Sequence, residues 1–141
     1  MSCVLRASGV DFDVAAFLES SEFKPITVFK KGEPRFPSSQ PTGPTLERSI
    51  INFEVSDAEF SELSLQIKDT LAFVQRNQKF ISELKAFPGV EEVTIDLAAE
   101  IHPPGWCSFN FSSDLLLAVG TLGFSLKLSV YPIEEDSDES A

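Results

Sequence analysis

Three carboxylates with regular spacing are the first residues in this sequence that could do chemistry. Glu92, Asp96 and Glu100 follow one another at intervals of four within residues 90–101, where every second side chain is apolar. Residues separated by an even number of positions in a strand point to the same face, so we expect these acids on one outward face. Paired carboxylates can act as general acid and base, but acids on an exposed strand face more often keep that face hydrated. The three acids are candidates for an acidic binding surface, and a hydrated face without a binding role is the alternative.

A second group of candidate site residues is basic. Lys30, Lys31 and Arg35, with Arg48 at the other end, flank a Pro-rich segment in an otherwise acidic chain. Such a cluster could receive a carboxylate or a phosphate, although loops commonly carry charges of this kind for solubility alone.

Residues typical of catalytic centres are few. His102 is the single histidine, and it lies in a Pro-Pro-Gly turn next to Trp106 without an evident nucleophile or orienting carboxylate. Cys3 and Cys107 are too far apart to form a zinc motif with it, and no glycine-rich phosphate loop occurs. We therefore predict no metal, no cofactor, no catalytic residue and no enzymatic activity.

Composition indicates one domain. The chain has 141 residues, of which 43% are hydrophobic, and its 13 Phe residues predict an aromatic core. We expect a single domain over residues 1–132. Two cysteines without an apolar leader predict free thiols in a cytoplasmic protein, and no apolar run is long enough to span a membrane.

The net charge of −11 restricts the partners. An acidic chain without a basic stripe repels phosphate backbones, which argues against binding of nucleic acids. A basic protein partner would be attracted instead. Residues 133–141 carry five acids and few apolar residues, which predicts a disordered tail.

The longest periodic segment runs from Ser56 to Pro88 and predicts one long amphipathic helix. Ser56 and Glu59 have the spacing of a capping box, and Pro88 followed by Gly89 predicts the end. The apolar stripe consists of Phe60, Leu63, Ile67, Leu71, Val74, Ile81 and Leu84.

The remaining chain alternates strands with short helices. Strands are predicted near 2–9, 26–29, 50–55, 90–101, 106–111 and 124–131. Two short helices are predicted, one capped by Asp11 or Asp13 and the other by Ser112 or Ser113. Residues 90–101 and 106–111 would pair as a hairpin, and residues 30–48 would form a long loop because of their prolines. The order is βαβ, loop, βαββαβ. We therefore predict an α+β fold, related to the ferredoxin-like αβ sandwich over residues 49–131, with a mainly antiparallel sheet and helices packed on one face.

Several short segments resemble a family of bacterial proteins known as domain of unknown function 4279. These are the Phe-Lys-Pro at 23–25, the Phe-Lys-Lys-Gly-Glu-Pro at 29–34, and the stretch from Leu122 to Tyr131 that ends in Ser-Val-Tyr. The resemblance covers about residues 3–131. It implies a bacterial protein with this fold, and no activity, substrate or cofactor follows from it.

The favoured functional interpretation is a non-enzymatic binding protein of the bacterial cytoplasm. An immunity or inhibitor protein, which would cover a basic toxin with its acidic surface, fits the small size and the charge. The alternative is a regulatory or ligand-sensing module that binds a small anion at the 30–48 loop. An uncharacterised enzyme is the third interpretation.

Overall fold

The computed structural model describes residues 2–133, and it contains seven strands and four helices. The strands are β1 (Cys3–Gly9), β2 (Thr27–Phe29), β3 (Pro34–Phe36), β4 (Gln40–Thr45), β5 (Ser49–Ser56), β6 (Glu92–Ile101) and β7 (Ser125–Pro132). The helices are α1 (Val14–Ser20), α2 (Leu63–Arg76), α3 (Gln78–Ala86) and α4 (Ser113–Thr121). The predicted disordered tail, apart from Ile133, lies outside the described residues.

Five strands form the main sheet, in the order β2-β5-β1-β6-β7. β1 lies between β5 and β6 and is antiparallel to both, and β2 is antiparallel to β5. Among neighbouring strands of this sheet within residues 2–133, only β6 and β7 pair parallel to each other. The predicted α+β class with a mainly antiparallel sheet is therefore confirmed.

One face of this sheet holds the hydrophobic core. Leu5 in β1, Phe53 in β5 and Ile95 in β6 are aligned by the strand register, and each is at most 1% exposed. All four helices pack on this face, since they contribute core residues to the same cluster: Val14, Phe17, Ile67, Phe80, Ile81, Leu84, Leu115 and Val119. Burying such side chains stabilises the fold by roughly 1.5 to 3 kcal/mol each.

The phenylalanines form a connected cluster within this core, as composition predicts. The rings of Phe53 and Phe80 meet edge to face at 5.0 Å, and those of Phe17 and Phe87 do so at 5.2 Å. Edge-to-face contacts place the positive edge of one ring on the negative face of the next, which adds directional packing to simple burial.

The predicted single helix over 56–88 is wrong in two respects. The segment forms two helices, because Asn77 leaves the helical conformation with φ −123° and ψ 37°. Its side-chain amide donates to the carbonyl of Phe73 at 3.0 Å, and this carbonyl also accepts from the backbone N–H of Asn77 at 3.0 Å. The end is predicted correctly: α3 stops before Pro88, and Gly89 has φ 90°.

The helix also begins later than predicted. Ser56 is the last residue of β5, where its hydroxyl donates to Asp69 Oδ2 at 2.6 Å and accepts from the N–H of Ala58. Ser56 therefore stabilises a turn and does not form the predicted capping box with Glu59. Phe60 lies before α2 and stacks on the ring of Tyr131 at 4.9 Å.

Gln66 links α2 to the sheet. This side chain is completely buried, donates to the carbonyl of Ala98 at 2.8 Å and accepts from the N–H of Ala98 at 3.0 Å. β1 pairs with β6 only as far as Asp96, so Gln66 satisfies backbone groups of β6 just beyond the end of β1.

The predicted hairpin between 90–101 and 106–111 is wrong. Residues 106–111 form no strand, and β6 pairs with β7, which returns parallel to it through α4. The range 49–131 therefore contains three strands instead of four, and the predicted βαββαβ order is not found there.

The Pro-rich segment 30–48 is not an irregular loop throughout. It contains the two-stranded hairpin of β3 and β4, which is separate from the main sheet and has mostly exposed residues. Proline is tolerated in such peripheral strands because their outer N–H groups need no strand partner.

Each of the two short helices has one of its two predicted caps. Asp13 accepts from the N–H of Ala16 at 3.0 Å, and Ser112 accepts from the N–H of Leu115 at 3.3 Å. These bonds satisfy N–H groups that the first helical turn leaves free. None of the helices within residues 2–133 is long and apolar enough to cross a membrane.

Candidate functional site

The face of the sheet opposite the helices carries a row of polar side chains that crosses all five strands. We call this row the polar belt, and it consists of Thr27 in β2, Asn52 in β5, Arg6 in β1, Asp96 in β6 and Ser129 in β7. The strand register places these residues on the face away from the core, because their chain neighbours Val28, Ile51, Leu5, Ile95 and Leu128 face the helices.

Arg6 is the centre of the polar belt. Its Nε donates to Asn52 Oδ1 at 2.8 Å, and its Nη2 lies 3.1 Å from Asp96 Oδ2. Asn52 in turn donates to the hydroxyl of Thr27 at 2.8 Å. The guanidinium is thus held on both sides by groups from neighbouring strands, and side-chain rotation is restricted before any partner arrives.

Asp96 completes the belt and differs from the two other predicted acids. Ser129 donates to Asp96 Oδ1 at 2.8 Å, so both carboxylate oxygens have partners, and the residue is only 8% exposed. Glu92 is exposed and Glu100 is half-buried on the same face. The predicted row of three acids therefore shares one face, but Asp96 is neutralised by Arg6, and only Glu92 and Glu100 are able to present negative charge.

A shallow depression adjoins the belt between β1, β6 and β7. It has a volume of about 290 Å³, and its lining includes Arg6, Ser8, Glu92, Thr94 and Lys127. Arg48 donates to the hydroxyl of Ser8 at 3.4 Å, at the edge of the same region. Hydroxyl groups and charges of both signs therefore converge here, on a surface that is wide and open.

The predicted basic residues lie elsewhere. Lys30, Lys31 and Arg35 are all exposed, on the connection to β3 and in β3 itself. The two lysines line a small depression at the start of α1 together with Asp13, a carboxylate that opposes anion binding there. The backbone N–H of Lys31 donates to the Ser49 hydroxyl at 3.0 Å, which ties this connection to β5.

The cysteines and the histidine do not form a reactive centre. Cys3 lies buried against the hydroxyl of Thr70, and burial raises the pKa of its thiol from 9.0 to about 12, so it stays protonated at neutral pH. Cys107 is exposed and free. His102 Nε2 lies 3.5 Å from Glu100 at an exposed position. Residues 2–133 contain no group of three acids, cysteines or histidines arranged to hold a metal.

Sequence reasoning missed Arg6, Asn52 and Ser129. Each occupies an outward position in a strand whose alternate residues are apolar, and that alternation was the available signal. The alternation does not tell which strands are neighbours. Because β1 lies between β5 and β6, Arg6 is within reach of both Asn52 and Asp96, and this juxtaposition follows only from the sheet order.

Comparisons with models of protein families, with curated proteins and with solved structures find no significant match to this chain. The resemblance to domain of unknown function 4279 therefore stays a prediction, and the functional argument depends on the geometry of the site alone.

Proposed function

We propose that this chain is a non-enzymatic binding protein that receives a basic protein partner on the open face of its sheet. The observation that carries the proposal is the polar belt. It is a hydrogen-bonded row of side chains that spans five strands on the face that no helix covers. The fold needs one buried apolar layer for stability, and the helix face supplies it. Recognition of a partner explains the polar belt on the other face better than stability does.

Charge at the rim of the belt supports a basic partner. Glu54, Glu92 and Glu100 lie on the open face around the neutral pair of Arg6 and Asp96, and they outnumber Lys127, a base on the same face. Exposed acids of this kind accelerate encounter with a positive surface and disfavour negative ones. The revised acidic surface thus consists of acids at the rim, with a rigid polar centre that has no net charge.

The rigidity of the belt supports tight binding. Arg6 and Asp96 are already desolvated in part and already oriented by their mutual contacts, so a partner would not have to order them. Ordering a flexible side chain costs about 0.5 to 1.5 kcal/mol, and preorganisation avoids that cost. An inhibitor or immunity protein of the bacterial cytoplasm, which must bind its target tightly, is the role that we propose within this class.

We also propose that the domain is a ferredoxin-like sheet with one added strand. β1-α1-β2 and β5-α2-α3-β6 are two βαβ units, and each has a strand of the other unit between its own parallel strands. This interleaving supports the assignment. The unit would span residues 3–101, with α4 and β7 added beside β6.

Charge reversal on the open face tests the binding function. Glu92→Lys/Glu100→Lys should abolish capture of a basic protein from lysate of the producing cells, whereas the wild type retains one protein stoichiometrically. The matched control is Glu19→Lys/Glu83→Lys, which makes the same charge change at exposed acids of the helix layer. With the captured partner purified, stopped-flow association of the wild type should slow as salt rises, because exposed charges are screened over about 8 Å at physiological ionic strength.

Two outcomes would refute the proposal. One is a captured protein that binds the open-face variant as well as the wild type, and the other is the absence of any stoichiometric partner. A thermal shift with inorganic phosphate that disappears in Lys30→Ala/Lys31→Ala would favour the small-anion module instead. Turnover in a hydrolase screen would favour an enzyme.

A further inference from the structure

The two edges of the main sheet differ in length. β2, at one edge, has three residues, whereas β7, at the other, has eight. An edge strand leaves one row of backbone N–H and C=O groups without a strand partner, and long edges of this kind pair readily with other chains. Within residues 2–133, β7 pairs with β6 alone. The sheet is therefore able to continue beyond β7.

The helix next to this edge is apolar on two sides. Leu115 and Val119 of α4 fill the core, yet Leu116 is 52% exposed and Leu117 is 70% exposed. A helix that is apolar all round is normally buried all round. Gly120 is exposed as well, and a methyl group added there would touch nothing, so another helix would have room to approach closely.

Exposed apolar residues are concentrated in this part of the molecule. Of the ten large apolar side chains that are exposed within residues 2–133, six lie between residues 103 and 133: Trp106, Leu116, Leu117, Val130, Tyr131 and Ile133. α4 leads directly into β7 and packs against it, so their exposed side chains belong to one margin of the domain. We call this margin the α4–β7 edge, defined by Leu116, Leu117, Gly120 and β7.

Charge indicates what covers the α4–β7 edge. Residues 103–133 contain a single acid, Asp114, and a single base, Lys127, in a chain whose net charge is −11. Two copies of so acidic a chain repel each other through most of their surfaces. Residues 103–133 add little to this repulsion, and a basic partner would gain little from them. A second copy of the chain therefore fits the α4–β7 edge best.

We infer that the protein forms a two-fold symmetric dimer in which the β7 strands of two copies pair antiparallel. Opposite residues of antiparallel strands share a face, so a two-fold axis perpendicular to the sheet places Leu128 or Ser129 opposite its own counterpart. The two sheets then become one sheet of ten strands. The α4 helices pack across the axis through Leu116 and Leu117, and both open faces stay accessible, side by side on one surface.

Sedimentation velocity over a range of protein concentrations tests the dimer. The wild type should sediment with twice the chain mass of 15.5 kDa. Leu116→Glu/Leu117→Glu should weaken the dimer by about a hundredfold or more, because its carboxylates would be buried without partners. Leu65→Glu is the matched control, since Leu65 is an exposed leucine of another helix, and that variant should remain dimeric. Circular dichroism checks that each variant folds.

Hydrogen exchange supplies a second readout. In the dimer, the β7 amides that point away from β6 should be protected, and they should exchange rapidly in Leu116→Glu/Leu117→Glu. A wild type that stays monomeric at all concentrations would overturn the inference. It would do so even if β7 then paired with a strand of a different protein. A dimer that survives Leu116→Glu/Leu117→Glu, or one that Leu65→Glu also disrupts, would overturn it too.

Discussion

Adjacent residues of the central strand end up in two different environments. Leu5 points into the apolar layer under the helices, and Arg6 points to the open face, where it binds Asn52 and Asp96. Both faces are well buried near the middle of the sheet: Phe53 is 1% exposed on one side and Asp96 is 8% exposed on the other. The two faces therefore differ in the chemistry of their buried side chains and not in the extent of burial.

The difference has an energetic meaning. On the helix face, each apolar side chain gains free energy by leaving water. On the open face, hydrogen bonds and an ion pair replace contacts with water, and the net gain of such exchanges is small. We therefore expect the helix face to contribute most of the stability and the polar contacts of the open face to contribute less.

Phe53→Ala should produce the largest effect. Phe53 contacts both Phe17 and Phe80, and its truncation leaves a cavity between the sheet and the helices. We expect a loss of about 3 to 5 kcal/mol in the free energy of unfolding, measured by urea denaturation. Leu71→Ala, at a half-buried position of α2, should cost clearly less. Equal losses would mean that the core is not centred on this face.

Arg6→Met should have an intermediate effect. It keeps much of the side-chain volume but leaves Asp96 buried without its cation, which should cost about 1 to 3 kcal/mol. In Arg6→Met/Asp96→Leu, where neither charge remains, a large part of this loss should be recovered. Losses that simply add in the double variant would show that Arg6 and Asp96 are not coupled.

Cys3 provides a smaller effect that depends on pH. Burial raises the pKa of its thiol to about 12, so above pH 9 the unfolded chain loses this proton while the folded chain keeps it. Stability should therefore be unaffected below about pH 8 and should fall by at most about 1.4 kcal/mol per pH unit above pH 9. The difference between wild type and Cys3→Ala isolates this slope from other titrating groups. The same slope in both proteins would contradict burial of the thiol.

Glu92→Lys/Glu100→Lys should have the smallest effect on stability. Neither acid belongs to the polar belt, so the free energy of unfolding should change by less than about 0.5 kcal/mol per substitution. Thermal denaturation followed by circular dichroism measures this. A larger loss would mean that the acids at the rim contribute to the fold and that the two faces are less distinct than we infer.

Much of the fold follows from local patterns. The alternation in residues 90–101 predicts β6, and Asp13 and Ser112 predict the two short helices, because capping and alternation are properties of neighbouring residues. The break at Asn77 also had a local signal. The apolar stripe has no residue between Val74 and Ile81. This gap is as compatible with a break between two helices as with one continuous helix.

The errors share a different cause. The pairing of β6 with β7 rather than with residues 106–111 depends on long-range packing of α4, for which short spacing is a poor guide. The polar belt was missed for the same reason, since Arg6 and Asp96 are ninety residues apart in the chain and meet only through strand order. The acids at 92, 96 and 100 were correctly assigned to one face, but their partners were not foreseeable.

Gln66 has a consequence for how the molecule opens. Its amide imitates the peptide group of a neighbouring strand, with the donor placed on the carbonyl of Ala98 and the acceptor on the N–H. Sliding α2 by one residue would place both groups against the wrong atoms. Helix α2 therefore cannot lift away without exposing the N–H and C=O of Ala98 to water, and α2 and the sheet should unfold in a single concerted event.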